Sequence, residues 1–218
     1  MEDPVVAKID LAKRAEIGRA KSARTREQLL GAARSLYARQ AIESVTVEDV
    51  VREAGVAKGT LYFHFKNIEA VQIAVADELT QTFVDLLQPR RSTFTDPIER
   101  IADGCHTFLH QAALNPKWGG LVARYAWSFP DVGSAARGLL ADDLHQAARQ
   151  ERIPAIPPEL GTAIVVGIVL QAMRSASEGQ LQSSDMPLAV AAILQSLGVT
   201  RREAMRVVKR VTQGIGSG

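Results

Sequence analysis

An all-α fold is the expectation for this chain, and three observations predict it. Ala, Leu and Val recur at spacings of three and four along most of the sequence, aromatic residues make up only 5%, and the nine prolines fall between the periodic segments. An apolar fraction of 46% over 218 residues can fill one ordinary core, or the cores of a small domain and a larger one. Internal repeats and low-complexity blocks are absent from the sequence.

The elements follow in order. From Thr25 to Arg39, Leu29, Leu30, Ala33, Leu36 and Tyr37 form one stripe, with Arg26, Glu27, Arg34 and Arg39 elsewhere, so the first helix is amphipathic. Thr46-Val47-Glu48-Asp49 fits a capping box and opens a second helix that buries Val47, Val50, Val51 and Ala54 and stops at Gly55. A short third helix runs from about Ala57 to Phe65, with Leu61 and Phe65 facing inward. A long helix from Asn67 to about Gln88 has its core side at Val71, Val75, Leu79, Phe83 and Leu86 or Leu87. Pro89-Arg90-Arg91-Ser92 interrupts the pattern, and prolines at 97, 116, 130, 154, 157, 158 and 187 separate about five more helices, near 96–114, 117–128, 131–151, 158–178 and 186–213, the last broken at Gly198.

A net charge of +2 says little, but its distribution is uneven: Lys8, Lys13, Arg14, Arg19, Lys21, Arg24 and Arg26 face only Asp10 and Glu16. Such an arm is either drawn to a phosphate backbone or is a solvated tail. The lone Cys105 permits no internal disulfide, and the acidic start Met1-Glu2-Asp3-Pro4 does not read as a signal peptide. The longest apolar run, Ala163–Leu170, falls short of the ~20 residues of a membrane span. The expectation is a cytoplasmic protein without a membrane partner.

Two short helices, Thr46 to Ala54 and Lys58 to His64, joined at a glycine have the dimensions of a helix-turn-helix, whose second helix enters the DNA major groove. With Leu61 and Phe65 turned to the core, its outer face carries Lys58, Thr60, Tyr62, Phe63 and His64, able to reach phosphates, base edges and thymine methyls. Gly59 admits a close approach of the backbone to DNA.

The stretch Ala54-Gly55-Val56-Ala57-Lys58-Gly59-Thr60-Leu61-Tyr62-Phe63-His64-Phe65-Lys66-Asn67, preceded by Thr46-Val47-Glu48-Asp49-Val50, resembles the signature of TetR-family repressors, over roughly residues 25 to 75. The resemblance implies that Thr46 and Tyr62 clamp phosphates, Lys58 and Thr60 face the groove, His64 touches the backbone and Lys66 adds charge. Arg24, Gly59 and Phe63 complete the candidate DNA-binding set. It further implies a ligand-responsive regulator, a repressor, that binds a palindromic operator on double-stranded DNA as a homodimer. A small-molecule effector would release it by swinging the helix after Asn67. Three departures stand out: Ile68 replaces the usual lysine, Ala57 the usual serine cap of the recognition helix, and Ala41 or a neighbour the usual glycine. The basic arm could compensate. On this reading residues 1–24 are the arm, 25–70 a three-helix DNA-binding domain and 71–218 a larger helical domain for ligand binding and dimerisation.

In that second domain the cavity is expected between Pro97 and Arg152, lined from Cys105, His106, Phe108, Leu109, Trp118, Val122, Tyr125, Trp127, Phe129 and Met173. Both tryptophans fall within Trp118–Trp127, which marks either a pocket wall or plain core. The apolar helix from Pro158, with Ile164, Val165, Ile168, Val169 and Ala172, and the next, with Ile193 and Leu197, are the candidate dimer interface; an intramolecular core is the alternative. His106 and His110 are one turn apart, but Cys105 points about 100° away from His106 on a helix, so no metal is expected. The sequence has no GxSxG, P-loop, CxxC or HExxH, so neither an enzyme nor a cofactor is expected. The competing readings are an architectural DNA-binding protein and a helical enzyme or carrier.

Overall fold

Every regular element of the computed structural model is a helix among the described residues, which are 4–129 and 132–213, with the side chains of 4–12, 83 and 86 outside the description. The expectations for Lys8, Asp10, Phe83, Leu86 and Pro130 therefore lie outside the described residues. The chain divides into two compact units, residues 1–75 and 76–218.

In the first unit α1 (Pro4–Arg39), α2 (Val47–Ala54), α3 (Lys58–His64) and the start of α4 (Ile68–Arg91) surround Leu29, Leu30, Val50, Leu61 and Val71, each with no exposed surface. The helix α1 begins at Pro4, where an arm was expected up to residue 24. Residues 13–28 carry no buried stripe, so periodicity gave no signal, yet Ala, Lys, Arg, Glu and Gln are all good helix formers. The capping box is present: Asp49 N–H donates to Thr46 Oγ1 (3.2 Å) and Thr46 N–H to Asp49 Oδ2 (3.0 Å). At the other end of α2, Gly55 adopts φ 66°, ψ 32°, and Val56 N–H reaches back to the Val51 carbonyl at 3.0 Å. Gln28 Nε2 donates to the Ala54 carbonyl at 2.6 Å and ties that end to α1. Val47 and Val51, expected in the core, are half-buried.

The second unit is built around α5 (Pro97–Leu114), which packs on α6 (Pro116–Ser128), α7 (Ser134–Arg149), α8 (Pro158–Ser177), α9 (Met186–Ser196) and α10 (Arg201–Gln213). Helix α4 runs through Pro89 to Arg91 rather than stopping at Gln88, and its last turn is held by ion pairs from Arg90 to Asp103 and from Arg91 to Asp143. The expected break at Gly198 separates α9 from α10; Gly198 has φ 96°, and a Cβ there would meet Pro154 Cδ at 2.7 Å. The eight-residue apolar run Ala163–Leu170 lies inside α8. The whole helix has 20 residues, with a mean hydropathy of 1.4 over its most apolar stretch, and is long and apolar enough to cross a membrane. It packs on α5, α6, α7 and α9 with Val165 and Met173 buried, and about a third of that apolar stretch is buried.

Candidate nucleic-acid interface and ligand cavity

Helix α3 buries one side and exposes the other. Leu61 and Phe65 are in the core, while Tyr62 is 50% and Phe63 79% exposed, an orientation that folding alone does not favour for large aromatic rings. Lys58, Gly59 and Lys66 are exposed, and Thr60 and His64 are half-buried. The α2–Gly55–α3 geometry thus brings together the outer face expected from the sequence. A Cβ on Gly59 would meet nothing within 4 Å, so packing inside this chain does not call for glycine there.

Three contacts bear on how this face would meet DNA. Lys58 Nζ lies 2.5 Å from Glu48 Oε1 and 6.0 Å from the Tyr62 ring centre. The hydrogen bond to Glu48 raises the Lys58 pKa and, reciprocally, lowers that of Glu48. An exposed pair of this kind contributes little to stability and can exchange its carboxylate for a phosphate. Thr46 Oγ1 donates to Asp49 Oδ2 at 2.7 Å, so the hydroxyl expected on a phosphate is already engaged in the cap. That bond, more than any other, holds the Asp49 carboxyl below its ordinary value. Arg24 is exposed on α1, and the Arg26 guanidinium sits 5.1 Å from the Phe65 ring centre, which places α1 beside the end of α3. Glu48 and Arg26 are absent from the expected site; nothing in their spacing marks them.

The second unit holds a half-open cavity of about 110 Å3, walled by parts of α4, α5, α6, α7 and α8. Of the residues expected to line it, Cys105, Phe108, Val122 and Met173 do. His106, Leu109, Trp118 and Tyr125 are buried but outside the wall, and Phe129 also lies outside it. Trp127 is 72% exposed. The aromatic cluster instead pairs locally, Phe108 on Trp118 (6.1 Å) and Tyr125 on Phe129 (6.0 Å). His106 stacks on His110 at 5.6 Å, and its buried Nδ1 has no hydrogen-bond partner among the described residues. Among the described residues no cluster of three or more His, Cys, Asp or Glu could hold a metal. Burial pushes the Cys105 thiol up to about 12, so it stays protonated and is a poor nucleophile.

Missed by sequence reasoning is the polar end of the cavity: Asp143, 2% exposed, with Arg91, Arg100, Arg137 and Thr80. Arg91 donates to both Asp143 oxygens (2.5 and 3.0 Å) and Arg100 Nε to Oδ1 (2.7 Å). These charges are scattered over 53 positions, from 91 to 143, so only the fold unites them. Of the residues expected at a dimer interface, Val165, Ala172, Ile193 and Leu197 are buried inside this chain, and Val165 and Val169 line the cavity. Ile164, Ile168 and Val169 are half-buried, while Leu160 (51%) and Leu188 (61%) are the large exposed apolar groups on α8 and α9.

Known proteins match both units. Residues 29–75 fit the model of bacterial regulatory proteins of the tetR family, and residues 96–210 that of a tetracyclin repressor-like C-terminal domain. The chain is 33% identical over 89 residues to the A-factor receptor protein of Streptomyces griseus, a match covering 41% of this chain and 30% of that protein. It is 32% identical over 80 residues to the HTH-type transcriptional repressor KstR2 of Mycolicibacterium smegmatis, covering 35% and 37%. The match thus spans about a third of the length of these curated relatives. Among solved structures, RolR in complex with resorcinol superposes with a TM-score of 0.77 at 22% identity, over 88% of this chain and 96% of that one. The regulator FadR of Bacillus subtilis in complex with stearoyl-CoA gives 0.64 at 15%, over 77% and 97%. At such identities these two structures establish the shared fold.

Proposed function

The chain belongs to the tetR family of bacterial regulatory proteins, and from that premise we propose that it is a ligand-responsive repressor. It binds a palindromic operator as a homodimer in the cytoplasm and is released by a small-molecule effector. It is a regulator and not an enzyme. The observation that carries the reading is the outward face of α3, where Lys58, Tyr62 and Phe63 stand exposed on a helix fixed by Leu61 and Phe65. Lys58 exchanges Glu48 for a phosphate, and Tyr62, Phe63 and His64 offer contacts to backbone and thymine methyls.

The repressor named among the relatives and the ligands named in the RolR and FadR complexes support a sensing role for the cavity. The accessible stripe Leu160, Ile164 and Ile168 on α8, with Leu188 on α9, is the surface a second copy would cover. Half-sites on DNA lie about 34–36 Å apart or a multiple of that, so a few ångströms of change in the separation of two α3 helices is sufficient for release.

Selection of bound sequences from a random DNA pool, with the number of chains per bound site measured by sedimentation, tests the proposal. An inverted repeat holding two chains, or four as two dimers, is expected. Equal binding to all sequences would replace it with an architectural DNA-binding protein, and no binding to any would remove DNA from the account.

A further inference from the structure

We infer that the cavity takes a compact ligand of about one ring that carries a hydroxyl or equivalent hydrogen-bond donor, with Asp143 as its anchor. The inference rests on the sensing role proposed above and adds the chemical class of the ligand.

Size is the first constraint. A dry cavity of about 150 Å3 holds benzene, and the space here is about 110 Å3. A one-ring molecule fits with small side-chain adjustments, whereas most of a long acyl chain would lie outside a space of this size. Chemistry is the second. Val84, Leu87, Ile101, Phe108, Leu140 and Met173 supply an apolar wall that favours a largely apolar ligand. Against it stands one carboxylate, that of Asp143, almost wholly removed from solvent.

Hydrogen-bond bookkeeping supplies the polarity of the ligand. The guanidinium groups of the wall already point at protein acceptors: Arg91 at Asp143, Arg100 at Asp143 and at the carbonyls of Phe94 and Thr95 (3.1 Å each), and Arg137 at the carbonyl of Ala126 (2.7 Å). Each carboxylate oxygen can accept two hydrogen bonds, and among the described contacts Asp143 Oδ2 accepts one, from Arg91. The remaining capacity is that of an acceptor, so the ligand donates. An anionic ligand would face the Asp143 charge and three guanidinium groups already turned to protein acceptors. Covalent capture by Cys105 is disfavoured, because its thiol is protonated and buried.

The anchor also says where binding is read. Arg91 is the last residue of α4, the helix that begins at Ile68 just after α3. A hydroxyl donating to the Asp143 Oδ2 that Arg91 also holds draws on the same charge, weakens the Arg91 pair and loosens the last turn of α4, while the Arg90 pair with Asp103 remains.

Titration calorimetry on the full chain with phenol, toluene and stearate separates the alternatives, using wild type, Asp143→Asn and Gly104→Leu. Gly104 lines the cavity and a Cβ there would meet nothing within 4 Å, so leucine fills the space without a backbone clash. Wild type is expected to bind phenol at least ~10-fold more tightly than toluene, the scale of one hydrogen bond to a charged group, and not to bind stearate. Asp143→Asn should lose that preference while still binding toluene, and Gly104→Leu, with its melting transition retained, should bind neither. Equal affinity for phenol and toluene in wild type, unchanged phenol affinity in Asp143→Asn, or stoichiometric stearate binding would overturn the inference. Operator release is scored separately: phenol binding without any operator recognition would defeat the repressor reading and leave the assignment of the cavity intact.

Discussion

The two units store their chemistry in opposite ways. In the first, everything proposed to meet DNA on α3 lies within Lys58–His64, seven consecutive residues that a capping box and one left-handed glycine set in place. In the second, the cavity wall runs from Thr80 to Met173 and draws on five helices. Exposure is inverted as well: Phe63 is 79% exposed, whereas Met173, on the cavity wall, has no surface outside the fold. A contiguous site survives if its own few turns fold. A distributed site depends on the packing of the whole unit, and its polar groups must be neutralised within it.

The largest effect expected from this contrast is at Asp143. Replacing it by Ala leaves Arg91 and Arg100, with side chains 19% and 12% exposed, without their carboxylate. Removing one member of a buried pair costs about 3–5 kcal/mol, so chemical denaturation of Asp143→Ala should show the loss in the transition that reports residues 76–218. A loss under about 1 kcal/mol, the scale of an exposed ion pair, would show that the polar end is solvated and break the contrast.

Gly55→Val comes next. Its φ of 66° is strained for a β-branched residue although a Cβ there meets no atom within 4 Å, and the cost of about 1–2 kcal/mol is purely conformational. Equal melting temperatures of Gly55→Val and wild type would show that the turn relaxes elsewhere. Thr46→Ala should cost about 1 kcal/mol as a lost N-cap. Restored stability and operator affinity together in Thr46→Ser would place the whole effect in the hydroxyl; restored stability without restored affinity would assign the loss of affinity to the methyl group.

The smallest effect is a pH dependence. Burial, and then the charge of His110, hold His106 below its ordinary value, with Arg90 acting in the same direction and Asp103 opposing. Since the folded value is depressed, the unfolded chain takes up its proton first as pH falls below about 6.5. Stability therefore declines through that region and levels off once pH is below the folded value. His106→Gln should flatten this part of the curve, and an unchanged curve would place the dependence elsewhere.

How much of this was legible in the sequence follows the same division. The second and third helices, their cap, the Gly55 turn and the inward Leu61 and Phe65 were all readable, because each signal lies within a few residues of the structure it dictates. The length of α1 was not: its first turns are helical without an apolar stripe. Around the cavity, apolar periodicity identified Cys105, Val122 and Met173 but equally selected Leu109 and Tyr125, which are buried outside its wall. Asp143 was invisible for a physical reason. An acidic residue on a surface-like helix looks solvated until Arg91, 52 positions earlier, is brought against it. The apolar residues Ile193 and Leu197 were read as a partner surface and prove to be core, since periodicity reports burial without saying against what.

The central claim, that the outward face of α3 reads DNA, is tested most directly by measuring the affinity of wild type, Tyr62→Ala and Lys58→Ala for the selected operator across a salt series. Both substitutions remove exposed side chains and should leave stability within about 0.5 kcal/mol. The account predicts a loss of about 10-fold or more for Tyr62→Ala, and for Lys58→Ala a weaker affinity with a salt slope reduced by about one. Unchanged affinity and slope in both variants, with the fold intact, would contradict it.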